Sequence, residues 1–144
     1  MRRLSIIAAI LALLTCALGY EEPTVQQLIE RANAAALKDQ PGLYIEIAER
    51  QLKAADTLYR AGKVDEARTA VADVVTYSEK AHDTAIQSGR RVKNTELAAR
   101  KMAHKLRDIK RTLNFDDQAP VQAAADRLQN LADDLLTHMF GKAK

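Results

Sequence analysis

The chain has 144 residues, the size of one domain, with a formal net charge of +3, five glycines, three prolines and no tryptophan. Alanine and unbranched side chains dominate, a mixture that favours helix and argues against a β fold. Setting aside Arg2 and Arg3 leaves 20 basic against 19 acidic residues, which excludes the strong positive balance of a nucleic-acid protein.

Those two arginines precede an apolar run from Leu4 to Leu18, interrupted by Ser5, Thr15 and Cys16. A charged start, a short apolar middle and the small-residue site Ala17-Leu18-Gly19 predict a secretory signal peptide over 1–19, cleaved before Tyr20. The run falls short of the ~20 residues that span a bilayer, so an uncleaved anchor is the lesser alternative. Cys16 is the only cysteine. Leu13-Leu14-Thr15-Cys16 resembles the box of a bacterial lipoprotein signal, with Thr where Gly, Ala or Ser is usual. Cys16 is therefore either lipidated or lost with the signal. The expected location is periplasmic or secreted, with a membrane-anchored lipoprotein as the alternative.

In chain order, five amphipathic segments follow. Thr24 and Gln27 form a capping box for a first helix with Val25, Leu28, Ile29, Ala32 and Ala36 on one face. Asp39-Gln40-Pro41-Gly42 predicts its end. A second helix is expected over about 43–61, with Tyr44, Ile47, Ala48, Ala55, Leu58 and Tyr59 facing inward and Gly62 closing it. The third carries Val64, Ala67, Val71, Val74, Val75, Ser78, Ala81 and Ala85, with Asp65 and Glu66 at its positive end and Gly89 as its stop. The fourth is expected after Arg90–Asn94, capped by Asn94 or Thr95, with Ala99, Met102, Ala103, Leu106, Ile109 and Leu113 as its stripe. The fifth starts near 117–120 with Pro120 in its first turn, and carries Val121, Ala124, Leu128, Leu131, Ala132, Leu135 and Met139. Such stripes joined by short loops predict an all-α, antiparallel up-and-down bundle: four long helices plus a shorter N-terminal one, over 20–144.

Residues 58–67, Leu-Tyr-Arg-Ala-Gly-Lys-Val-Asp-Glu-Ala, resemble the turn between the paired helices of a tetratricopeptide repeat. The resemblance covers ten residues and has no second copy downstream. It implies a tight helical hairpin and no repeat array.

From Ser88 to Thr112 there are nine basic and two acidic residues, whereas 20–87 carry eight and twelve. Arg90, Arg91, Lys93, Arg100, Lys101, Lys105, Lys110 and Arg111 therefore form a candidate surface for an anionic macromolecule, an envelope component or an acidic protein. The competing reading is a solvated face that pairs with acidic neighbours. No aromatics interleave with the charges, and no nucleic-acid partner is expected. Membrane association is expected only through a lipidated Cys16 or an uncleaved signal. Glu79-x-x-His82 has the spacing of carboxylate-bridged metal bundles, and His138 offers a further ligand if its helix faces the third. No Cys-x-x-Cys-His, Gly-rich phosphate loop or nucleophile elbow is present, so no cofactor and no catalytic residue is expected. The sequence leads to a non-enzymatic interaction or structural protein of the envelope, with a metal or small-ligand carrier as the alternative.

Overall fold

A computed structural model describes Gly19 and residues 21–141. The expected signal peptide over 1–19, with Cys16, lies outside the described residues apart from Gly19. Five helices follow: α1 (Val25–Ala34), α2 (Gln40–Arg60), α3 (Val64–Ser88), α4 (Val92–Arg111) and α5 (Phe115–Phe140). Among the described residues no helix is long and apolar enough to cross a membrane.

Local chemistry sets the boundaries. The Thr24 hydroxyl accepts from the Gln27 N–H at 3.2 Å, and the Gln27 side chain accepts from the Thr24 N–H at 2.9 Å. This closes the expected capping box. The α2–α3 turn is a Schellman motif: Lys63 N–H donates to the Leu58 carbonyl and Gly62 N–H to that of Tyr59, with Gly62 at φ 75°. It makes the tight hairpin implied by residues 58–67. At the next turn Gly89 takes φ 63°.

Three starts differ from expectation. Helix α2 begins at Gln40 rather than near Leu43, because Pro41 falls in the first turn, where its missing N–H costs nothing. Helix α4 begins at Val92, so neither Asn94 nor Thr95 caps it, and Thr95 is buried in the helix body. Helix α5 begins at Phe115, which places Pro120 in the second turn. The unpaired carbonyl this leaves at Asp116 belongs to an exposed residue that water can serve. Asp116 and Asp117 lie in the first turn, where the helix dipole favours them.

Successive long helices alternate in direction and form an up-and-down bundle. The most extensive contacts join α2 to α3 and α4 to α5. The two hairpins then face each other, α3 beside α5 and α2 beside α4. The main core gathers Leu52, Val74, Met102, Leu106, Ile109, Val121 and Leu128 from all four helices. Alanines such as Ala48, Ala55, Ala103 and Ala125 are fully buried between them and let the axes approach closely. A second cluster of Leu28, Ala32, Tyr44, Ile47 and Ala81 seats α1 against α2, with Ala81 contributed by α3. One end of the bundle therefore carries the α1–α2 loop, the α3–α4 turn and the end of α5. The opposite end carries the other two turns.

Candidate functional site

The basic stretch divides into two groups. Along the body of α4 most of the cations are committed to the protein, Lys101 being the exception. Arg100 donates through Nε to Glu96 at 2.7 Å and through Nη2 to Asp133 at 3.3 Å. The Glu96 carboxylate is buried, and its hydrogen bond holds the guanidinium proton more firmly than usual against the opposing effect of desolvation. Lys105 reaches Asp56 of α2 at 3.5 Å, Lys110 donates to Gln122 at 2.7 Å, and Arg111 meets Asp108 at 3.2 Å. Lys101 lines a groove along α4 with Leu97, His104 and Arg107.

The residues at the start of α4 are different. Arg90, Arg91 and Lys93 are exposed, and among the described residues their side chains form no ion pair. Arg91 takes φ 56°, a left-handed conformation unusual for arginine, which turns the chain into α4. Its guanidinium lies over the first turn of α2. A Cβ at Gly42 would stand 3.3 Å from Nη1, so the bare glycine makes room for it.

Folding adds two cations to this end. Arg31 and Arg91 flank an open cleft of about 670 Å³ whose acidic members are Asp39 and Glu46. Lys38, Arg90 and Arg91, together with Asp39, line an adjoining cleft of about 350 Å³. Glu46 is already held by Arg50 at 3.1 Å. Asp39 stands at the N-cap of α2 without a side-chain cap hydrogen bond, and no further acid occupies the first turn, so Asp39 is the one carboxylate at that positive end. Arg31 and Lys38 lie in an acidic part of the sequence, and only the packing of α1 on α2 brings them beside the α3–α4 turn.

Two of the candidate metal ligands, Glu79 and His82, are engaged by other side chains. Among the described residues no group of three or more His, Cys, Asp or Glu side chains is arranged to hold a metal ion. Glu79 accepts from Arg127 at 2.6 Å instead. His82 has Nδ1 2.8 Å from Asp83 and Nε2 2.6 Å from Asp134, which commits both ring nitrogens to carboxylates and ties α3 to α5. His138 sits one turn beyond Asp134 and does not complete a site with them.

Two buried hydroxyls, Tyr59 Oη and Ser78 Oγ, have no hydrogen-bond partner among the described residues. Burial raises the Tyr59 and Tyr77 phenols above 10.0. Tyr77 stacks on Tyr44, and Lys80 lies over both rings. These residues lie on the bodies of α2 and α3, and none lines the basic clefts. No protein-family model matches the chain, and no curated protein or solved structure matches it either, so the functional reading rests on its own side chains.

Proposed function

We propose that this chain is an exported, non-enzymatic protein of the bacterial envelope that captures an anionic macromolecular partner through the end of the bundle formed by the α1–α2 loop and the α3–α4 turn. The observation that carries the reading is the gathering of Arg31, Lys38, Arg90, Arg91 and Lys93 there without ion-pair partners among the described residues. The cleft lined by Lys38, Arg90 and Arg91 stays net positive despite Asp39, and such a site attracts phosphate, sulfate or carboxylate groups over a Debye length of ~8–10 Å. The bodies of α4 and α5 serve as the scaffold that fixes this end. The apolar N-terminal run and its small-residue site support export, with Cys16 as an alternative point of lipid attachment.

Retention on immobilised heparin, a model polyanion, tests the capture. The wild-type chain is retained and elutes as salt rises, and Arg90→Glu with Arg91→Glu removes most of that retention at unchanged helicity. Equal elution of variant and wild type would overturn the reading. Export has its own readout, the intact mass of chain recovered from the envelope. A chain that begins at Tyr20, or carries lipid on Cys16, agrees with export; one recovered only from the cytosol with Met1 in place does not.

A further inference from the structure

Among the described residues, four of the five exposed large apolar side chains share the end that bears the cations without ion pairs. Leu37, 42 % exposed, sits in the α1–α2 loop beside Lys38. Leu97, 53 % exposed, stands on the second turn of α4, while Leu136 (41 %) and Phe140 (72 %) stand at the end of α5. Only Phe115 is at the opposite end. The antiparallel register that brings Arg100 to Asp133 carries Leu97 opposite Leu136, and Lys93 opposite Phe140.

A single exposed leucine needs no explanation, but apolar side chains gathered among free cations do. A packed protein interface wants a continuous patch of roughly 800 Å² on each partner with few charges at its centre. Here the apolar tips are separated by cations. A second copy docked on the same patch would set Arg90, Arg91 and Lys93 against their own equivalents, and like charges facing each other oppose association. A bilayer surface suits both chemistries: the tips enter the headgroup–acyl boundary while the cations meet lipid phosphates.

We infer that this end of the bundle docks onto an anionic lipid bilayer, with Leu37, Leu97, Leu136 and Phe140 entering the interface and Lys38, Arg90, Arg91 and Lys93 engaging headgroup phosphates. The inference rests on the anionic-partner reading above and names that partner. It gives the chain a route to the membrane that needs neither Cys16 nor an uncleaved signal.

The test is co-sedimentation of the chain carrying Cys16→Ser, its start at Tyr20 checked by intact mass, so that neither a lipid anchor nor residues 1–19 contribute. The vesicles are phosphatidylcholine alone, or phosphatidylcholine and phosphatidylglycerol in equal parts. The chain pellets with the anionic vesicles and far less with the neutral ones. At ~1 kcal/mol for each cation near an anionic surface, Arg90→Gln with Arg91→Gln weakens binding roughly thirtyfold. Leu97→Ser with Phe140→Ser weakens it by about tenfold or more, with heparin retention unchanged. All positions are exposed, and circular dichroism checks that helicity is kept. Arginine-dependent heparin retention without vesicle binding would overturn the lipid inference and leave the anionic-partner reading standing. Loss of both would end both. Equal pelleting with neutral and anionic vesicles would also overturn the inference. So would a dimer that Leu97→Ser with Phe140→Ser converts to monomer with no change in vesicle binding.

Discussion

Arg100→Gln separates the cations that hold the bundle from those that face outward. The Glu96 side chain is 6 % exposed and that of Arg100 is 40 % exposed. With the guanidinium gone, the Glu96 carboxylate keeps its desolvation and loses its cation. Breaking a fully buried pair in this way costs about 3–5 kcal/mol. Arg100 is partly solvated, so water already screens the pair and the expected loss is about 2 kcal/mol. The longer contact to Asp133, itself 56 % exposed, adds at most about 0.5 kcal/mol. A domain of this size moves by roughly 3–4 °C per kcal/mol, which lowers the melting midpoint by about 6–8 °C. Glu96→Gln with Arg100→Gln removes the stranded charge and recovers part of the loss, giving a coupling of about 1–2 kcal/mol in the double-mutant cycle. Thermal and urea unfolding followed by circular dichroism measures all four corners of that cycle. Repeating it at high salt reduces the loss only in part, because ions reach the half-open Arg100 while Glu96 stays desolvated. Heparin retention of Arg100→Gln stays within about twofold of wild type, since two carboxylates already answer its charge. An Arg100→Gln protein of wild-type stability and weakened retention would refute the division.

Tyr59→Phe tests the unpartnered hydroxyl through alkaline stability. The folded phenol titrates above 10.0, so the unfolded chain loses its proton first. The neutral phenol's contribution is complete below pH 10.0 and is lost as pH rises from there through the folded value. The wild-type midpoint therefore drops in alkali, and Tyr59→Phe shows a smaller drop with neutral-pH stability the same or up to about 1 kcal/mol higher. A pH series of melting curves decides, and identical alkaline slopes would reject the assignment. His82→Gln loses the tie between α3 and Asp134 and costs about 1 kcal/mol, the two carboxylates being largely exposed. Saturating zinc leaves the wild-type midpoint where a chelator leaves it, whereas a zinc-dependent rise that His82→Gln abolishes would reinstate a metal site there.

The helical faces were legible because burial against one core enforces a single period. Ala99, Met102, Ala103, Leu106 and Ile109 are all buried, as are Val121, Ala124, Leu128, Leu131, Ala132 and Leu135. Helix starts were harder to read, since proline is compatible with either side of a boundary: Pro41 sits inside the first turn of α2, and Pro120 inside the second turn of α5. Charge pairing was the least legible feature. Lys105 meets Asp56 and Arg68 meets Asp117, each 49 positions away, because α2 lies beside α4 and α3 beside α5. A local count of nine basic residues cannot separate Arg100, enclosed by two carboxylates, from Arg90, which is free. Nor does it include Arg31 and Lys38, whose place in the clefts depends on how α1 packs.

The two ends of the bundle treat arginine differently, and that contrast bears on function. At the end carrying the α2–α3 and α4–α5 turns, Arg60, Arg68 and Arg111 each meet an aspartate. At the other end Arg31, Arg90 and Arg91 meet none among the described residues. Exposed pairs are worth only about 0–1 kcal/mol, so the fold neither needs the first set paired nor suffers much from leaving the second set free. The free cations therefore contribute little to stability, and neither do Leu97 and Phe140 while they stand in water. Removing groups that the fold does not use alters only what the molecule touches. Substitutions at Arg90, Arg91, Leu97 and Phe140 should thus change binding at constant melting midpoint, and Arg100 should do the reverse. A common loss of both properties at either set would mean that this end of the bundle is held together by the same contacts that its partner uses.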